Sequence, residues 1–297
     1  MSYMKRDKRA AWYMLAPALL MIGVFIVLPF LMSVILSFTD QRLVPNPNVP
    51  TAFIGWRNYL RLAEDGDFLN AFWRTATFTI LVVPLQSVMG LGAALLINTK
   101  LPMRNLFRGI YFLPTVISMV VVSVIWSSLY QREGFFNYAF TNLTFGTAQP
   151  IDWLQNPYTA MPALVLLSAW QGFPFQMVVY LAGLQGISQE LYEAARIEGA
   201  NRWQEFWHVT MPGLRNTHIL VAITTTIFAF KLFTQVQLLT QGGPSSVTDT
   251  LVRVMYMQGF RQGKVGIGAA AAVVFFLLVL GISLVQRVLV KEERAIQ

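Results

Sequence analysis

Six stretches of this chain run for about 20 residues or more without one carboxylate. They cover roughly residues 11–38, 75–98, 109–130, 159–185, 216–240 and 265–286. All 14 Asp and Glu lie outside them. Of the 22 Lys and Arg, only Lys231 sits well inside a stretch, and Arg74 marks an edge. About 20 helical residues cross a hydrocarbon core of about 30 Å. Lipid offers a backbone no hydrogen-bond partner, so segments this apolar must satisfy their own N–H and C=O groups as helices. The chain is 12% charged, about half the share of a soluble domain. The expectation is an all-α membrane protein with six transmembrane helices, forming a single transmembrane domain over residues 1–297. Buried helices of a soluble protein would need far more polar residues elsewhere.

The first stretch follows MSYMKRDKR, which resembles the basic start of a signal peptide. The apolar run is too long for one and no Ala-x-Ala site follows it, so it reads as a retained first helix. The absence of cysteine excludes disulfides, thiol nucleophiles and Cys-ligated metals. The net charge of +8 reports orientation in the membrane and not nucleic-acid binding.

Lys and Arg accumulate in cytoplasmic loops. Thirteen fall in the N-terminus, the loop with Lys100, Arg104 and Arg108, residues 186–215, and the tail with Arg287, Lys291 and Arg294. Seven fall on the opposite side. Both termini and residues 186–215 are therefore expected in the cytoplasm, although the last external loop is basic and 186–215 holds four acids against three bases. The external loops look structured. Residues 40–70 carry Pro45, Pro47 and Pro50, then FIGWRNYLRL, a short interfacial helix anchored by Trp56 and Tyr59. Residues 131–158 carry Phe135, Phe136, Trp153 and Tyr158. Gly90 and Gly92, and later Gly266, Gly268 and Ala269–Ala272, predict close helix packing.

Between the fourth and fifth stretches lies EAARIEGANRWQEF, with Glu190, Glu193, Glu198 and Glu205 in or beside it. Ser188 suits an N-cap, with Glu190 in the favourable first turn. Gly199 suits the left-handed residue that ends a helix. Asn201 with Gln204 three residues on approaches a capping box. Trp203, Phe206, Trp207 and Thr210 recur at helical spacing, and Pro212 is expected to stop the second helix. Two such short helices bury little by themselves and should dock on another surface.

EAARIEGANRWQEFWHVTMP resembles the EAA loop of permease subunits of ABC importers, in which Glu-Ala-Ala precedes Gly-Ala, an aromatic residue and Leu-Pro. Glu193, Ala194, Ala195, Gly199, Ala200, Phe206 and Pro212 fall on that pattern, while Glu198 and Met211 replace the usual Asp and Leu. APALLMIGVFIVLPFLMSVILSFTD, IGWRNYLRL and LLTQGGPSSVTDTLVRVMYMQGF are similar to segments of sugar permeases of the maltose and glycerol-phosphate type. The resemblance implies a type I importer permease in a bacterial inner membrane. It implies a second homologous permease, an ATPase dimer holding ATP and Mg, and a soluble binding protein that delivers a sugar or sugar derivative. The hairpin would couple to the ATPase, with Glu193 paired to a basic residue there and Gly199 letting the two helices approach closely. No G-x-x-x-x-G-K-[ST] loop exists, since Gly263-Lys264 is followed by Val. The chain is expected to hold no nucleotide and to be no enzyme by itself.

Substrates of transporters bind near the bilayer midplane where polar groups face a cavity. AWQGFPFQ offers amides at Gln171 and Gln176 and rings at Trp170, Phe173 and Phe175, around Gly172 and Pro174 that can loosen the backbone. Amides beside aromatics suit the hydroxyls and C–H face of a sugar. The same residues could equally be a proline kink with packing rings and inter-helix amide bonds. Lys231, Phe233 and Gln235 are further candidates, Lys231 as a ligand to hydroxyl or phosphate, or as a snorkelling cation. His208 and His218, with neither Cys nor a paired carboxylate nearby, do not suggest a metal. An importer for another solute, such as glycerol phosphate or a polyamine, is the same-class alternative. A self-sufficient carrier would be expected to place carboxylates inside its spans, and there are none.

Overall fold

A computed structural model describes residues 2–44, 50–99, 104–147 and 149–291. Pro45, Pro47, Lys100 and Arg294 therefore lie outside the described residues. Among the described residues the regular elements are helical. In chain order they are α1 (Ser2–Ile22), α2 (Leu28–Ser37), α3 (Arg57–Glu64), α4 (Gly66–Asn98), α5 (Arg104–Val116), α6 (Met119–Leu129), α7 (Phe135–Leu143) and α8 (Ala160–Gln185). Then follow α9 (Gln189–Ile197), α10 (Arg202–Glu205), α11 (Met211–Gly213), α12 (Arg215–Phe230), α13 (Thr234–Leu239), α14 (Leu251–Tyr256) and α15 (Val265–Lys291). Among the described residues, five helical segments are long and apolar enough to cross a membrane: Trp12–Ser37, Gly66–Asn98, Ala160–Gln185, Arg215–Leu239 and Val265–Val288. The first runs through a π turn at Gly23–Val27 that joins α1 to α2.

The third expected span departs from a single straight helix. Residues Gly109–Val116 and Met119–Leu129 meet at 102°. The sequence explains the break. Pro114, which has no N–H to give, lies in the last turn of the first helix, which ends two residues later at Val116. Ser118 then adopts an extended conformation and its hydroxyl caps the second helix by accepting from the Val121 N–H. A run judged by hydropathy alone does not reveal such a corner.

The chain divides into two compact units. One comprises residues 1–69 and 254–278, the other residues 70–253 and 279–297. In the first, the buried Asn58 of α3 donates through Nδ2 to the carbonyls of Ser37 and Thr39, at 2.9 and 2.8 Å, and Tyr59 Oη meets Ser37 Oγ at 2.7 Å. These bonds hold α3 against the end of α2, while Trp56 faces outward, as expected of an interfacial helix. Gly268 lies against Gly259, which agrees with the small-residue packing expected of the last span.

In the second unit α8 is the central helix. It stays helical through Pro174, so this proline does not interrupt it. One face packs Phe173, Met177, Tyr180 and Leu184 against Ala93, Ala94 and Ile97 of α4 and against Leu214 and Val221. Another packs Ala163 and Leu167 against Val122, Trp126 and Tyr130, and Tyr130 Oη donates to the Ala163 carbonyl at 2.7 Å. At Gly90 a Cβ would stand 2.7 Å from Gln176 Cβ, so α4 and α8 approach as closely as glycine allows. Gly92 faces open space instead, and its packing role is not supported. Replacing Gly90 with Ala overpacks the contact. A loss of about 1–3 kcal/mol is expected, read as a lower thermal unfolding temperature in detergent, with Gly92→Ala as the neutral comparison.

Candidate functional site

The charged hairpin is built almost entirely by capping. Ser188 Oγ accepts from the Glu190 N–H at 3.3 Å and opens α9. The far end of α9 is closed by bonds from the Gly199 N–H to Arg196 O and from the Ala200 N–H to Ala195 O, at 3.0 and 2.9 Å. Gly199 sits at φ +84°, where a side chain is disfavoured. Asn201 Oδ1 accepts from the N–H groups of Trp203 and Gln204, both at 3.0 Å, and the Asn201 N–H donates to Gln204 Oε1 at 2.8 Å. That is a complete capping box, as the sequence suggested. Two side-chain ties join the arms. Arg196 Nε donates to Glu205 Oε1 at 2.8 Å, and Tyr192 Oη meets Thr210 Oγ1 at 3.0 Å. The bond from Arg196 holds the Glu205 carboxyl below its ordinary value. The pair's contribution is therefore fully present above the ordinary carboxylate pKa and is lost as pH falls through the lowered one.

One expectation needs correction and two are refined. A Cβ on Gly199 would meet nothing within 4 Å, so this glycine serves backbone conformation and not close helix approach. Pro212 lies within the second arm, whose helix ends one residue later at Gly213. A π turn at Phe206–Thr210 leads into α11, with Pro212 in its first turn, where a missing N–H costs nothing. The helical path bends only at Leu214 (φ −86°, ψ 2°) before α12 begins. The face expected to hold Trp203, Phe206, Trp207 and Thr210 survives for its three rings, whose centroids lie 5.2 to 6.0 Å apart, whereas Thr210 beyond them is buried.

Glu193, Ala194 and Pro212 are exposed, and Ala195, Ala200 and Phe206 are half-buried. Around them Leu191, Ile197, Trp203 and Trp207 are exposed, Ile197 at 87%. An arm with its own core would bury such side chains. This one presents them, with a carboxylate among them.

The second feature is a cavity of about 400 Å³ in the α4, α8 and α12 bundle. Of the eight candidate pathway residues, Gln171, Phe175, Gln176, Lys231 and Gln235 line it. Its polar wall is a chain of amides. Gln86 Nε2 donates to Ser168 O at 2.6 Å. Gln176 Nε2 donates to Gln86 Oε1 at 2.6 Å and to Thr225 Oγ1 at 2.9 Å. Gln235 Nε2 reaches Ser168 Oγ at 3.5 Å. Gln176 Oε1 is buried and takes no hydrogen bond from any described residue. A Cβ on Gly172 would collide with the Gln86 amide, so that glycine makes room for it. The apolar wall includes Phe175 and Phe228, edge to face at 6.1 Å.

Lys231 is the charged residue among those lining the cavity. It does not sit in mid-helix. It caps α12, whose helix ends at Phe230 before α13 restarts at Thr234. The other three candidates have structural surroundings. Trp170 packs on Trp126 with ring centroids 5.5 Å apart, Phe173 is buried against Tyr111, and Phe233 precedes α13 at φ −142°. Both readings of AWQGFPFQ thus hold for different residues. Sequence reasoning missed Gln86, Ser168 and Thr225. Gln86 was detectable as an amide inside a carboxylate-free span, whereas a serine or threonine there can bond its own backbone, and many do. Among the described residues no cluster of His, Asp and Glu could hold a metal. His208 Nδ1 lies 3.0 Å from Gln204 O and His218 Nδ1 lies 3.0 Å from Tyr180 Oη.

Comparison with known proteins agrees with this architecture. The chain is 33% identical over 282 residues to the trehalose/maltose transport system permease protein MalF of Thermococcus litoralis, covering 94% of this chain and 93% of that one. It is 34% identical over 288 residues to the lactose transport system permease protein LacF of Rhizobium radiobacter, covering 95% and 94%. Among solved structures, a chain of a bacterial ABC transporter that imports the acidic polysaccharide alginate superposes with a TM-score of 0.82 at 23% identity. The match covers 98% of this chain and 99% of that one, and shows the shared fold. The family model described as binding-protein-dependent transport system inner membrane component matches residues 66–294. The chain belongs to that family of permease subunits.

Proposed function

We propose that this chain forms half of the translocation pathway of an importer for a sugar or oligosaccharide, as one transmembrane permease domain beside a second homologous permease. ATP and Mg belong to a separate ATPase dimer, and a soluble binding protein supplies the cargo. The observation that carries this reading is the pairing of two sites on one short path. A capped hairpin that buries almost none of its own apolar side chains is followed, across Leu214, by the helix that ends at the cavity. The hairpin offers Glu193 to a basic partner and its exposed tryptophans to an apolar cleft. The cavity offers amides, hydroxyls and aromatic rings without a carboxylate, a lining matched to neutral polyols. Lys231 in that wall disfavours a polyamine. The maltose, trehalose and lactose systems named for the relatives point the same way. On this reading the chain lies in a bacterial inner membrane with both termini and the hairpin in the cytoplasm, an orientation that the excess of Lys and Arg supports.

The test is the complete importer in lipid, followed by binding-protein-stimulated ATP hydrolysis and sugar uptake. Glu193→Ala and Gly199→Asp should each lower stimulated hydrolysis at least about tenfold, a loss of about 1.4 kcal/mol in coupling, while the chain still inserts. Normal uptake by both variants would remove the hairpin from the mechanism.

The cavity makes a separate prediction. Gln176→Leu strips Gln86 Oε1 and Thr225 Oγ1 of their shared donor, at about 1–3 kcal/mol, and removes an unsatisfied acceptor from the wall. Sugar uptake should fall while the ATPase activity stimulated by the binding protein persists, since the hairpin is untouched. Uptake and hydrolysis falling in strict proportion would mark Gln176 as purely structural.

A further inference from the structure

The first unit contains a second concavity, of about 370 Å³, that the transport reading does not use. Asp40, Arg42, Asn58, Arg61, Gln262 and Lys264 contribute to its wall, together with the first turn of α15. Three cations therefore face one carboxylate. The Asp40 Oδ1 already accepts from the Ala52 N–H at 2.7 Å. Arg42, Arg61 and Lys264 make no ion pair among the described residues. The first turn of α15 carries no acidic residue, so the positive end of a 27-residue helix adds to the field.

Its position is fixed by two spans. Trp12–Ser37 ends three residues before Asp40, and Val265–Val288 begins one residue after Lys264. The Leu43 N–H donates to Gly263 O at 2.8 Å and the Gly266 N–H to Gln41 O at 3.0 Å. The end of one span is thus stitched to the start of another, and the cavity lies at the level where both leave the hydrocarbon. Exposed apolar side chains stand in the same segments: Phe53, Trp56 and Leu60, with Leu43 and Val44. A basic hollow beside apolar groups at the membrane boundary matches the two ends of a lipid.

We infer that this hollow binds the phosphodiester headgroup of an anionic phospholipid, with a phosphatidylglycerol-type headgroup the best fit. The phosphoryl oxygens take Arg42, Arg61 and Lys264. The glycerol hydroxyls take the remaining Asp40 oxygen and the amide of Gln262. The acyl chains lie along Trp56 and Leu60. Each Lys or Arg near an anionic surface contributes on the order of 1 kcal/mol.

The experiment is native mass spectrometry of the full chain in its importer complex. The complex is delipidated in a neutral detergent and titrated with phosphatidylglycerol, with phosphatidylcholine as reference. Wild type should carry at least one phosphatidylglycerol adduct that the triple variant Arg42→Gln/Arg61→Gln/Lys264→Gln binds at least about tenfold more weakly. The single Lys264→Gln variant should show a smaller loss and serves if the triple variant does not assemble. Inorganic phosphate and glycerol phosphate in millimolar excess should leave the adduct in place. Their displacing it would assign the site to a free phosphate and overturn the lipid reading. Equal lipid retention by wild type and both variants would overturn it outright. So would unchanged lipid retention with loss of binding-protein docking, which would assign the surface to that protein.

Discussion

The buried amide of Gln86 ties two of the long helices together. It donates to the Ser168 carbonyl and accepts from Gln176, so it crosslinks α4 and α8 beside the cavity. In hydrocarbon an unmet amide is expensive and a met one is specific. The space left by Gly172 seats this group, while the close approach at Gly90 and the bond to Thr225 belong to its partner Gln176. Its partner Gln176 retains an unused oxygen beside the cavity. That is polar demand the bundle leaves open, and it is the feature of the wall on which the proposed sugar pathway rests.

The hairpin shows the opposite economy. Its stability is local, residing in Ser188, Asn201, Gln204 and the Arg196–Glu205 pair, and its apolar side chains are left outside. A segment built this way keeps its shape without help from its surroundings. It can therefore meet a partner as a preformed surface and lose little entropy on docking.

Capping residues were legible in the sequence because their effect is short-ranged: Ser188, Gly199 and Asn201 act within about four positions. Spans were legible because hydropathy integrates over about 20 residues. What escaped depends on pairs far apart in the chain. Gln86 and Gln176 are 90 residues apart. The corner at Ser118 is set by one cap inside a uniformly apolar run. The π turn before Pro212, which puts the proline in the first turn of α11, is a feature that composition does not signal. Lys231 looked like a charge inside a helix, and is instead a helix end.

Leu214 gives the molecule a mechanical property. It is the bend between α11 and α12, and it is fully buried in the core cluster with Tyr180 and Leu184. From this anchored residue α12 runs 16 residues, about 24 Å, toward Phe228 and Lys231 in the cavity wall. The hairpin therefore joins the bundle through a residue that is held in place, and one continuous helix separates that junction from the far wall of the cavity.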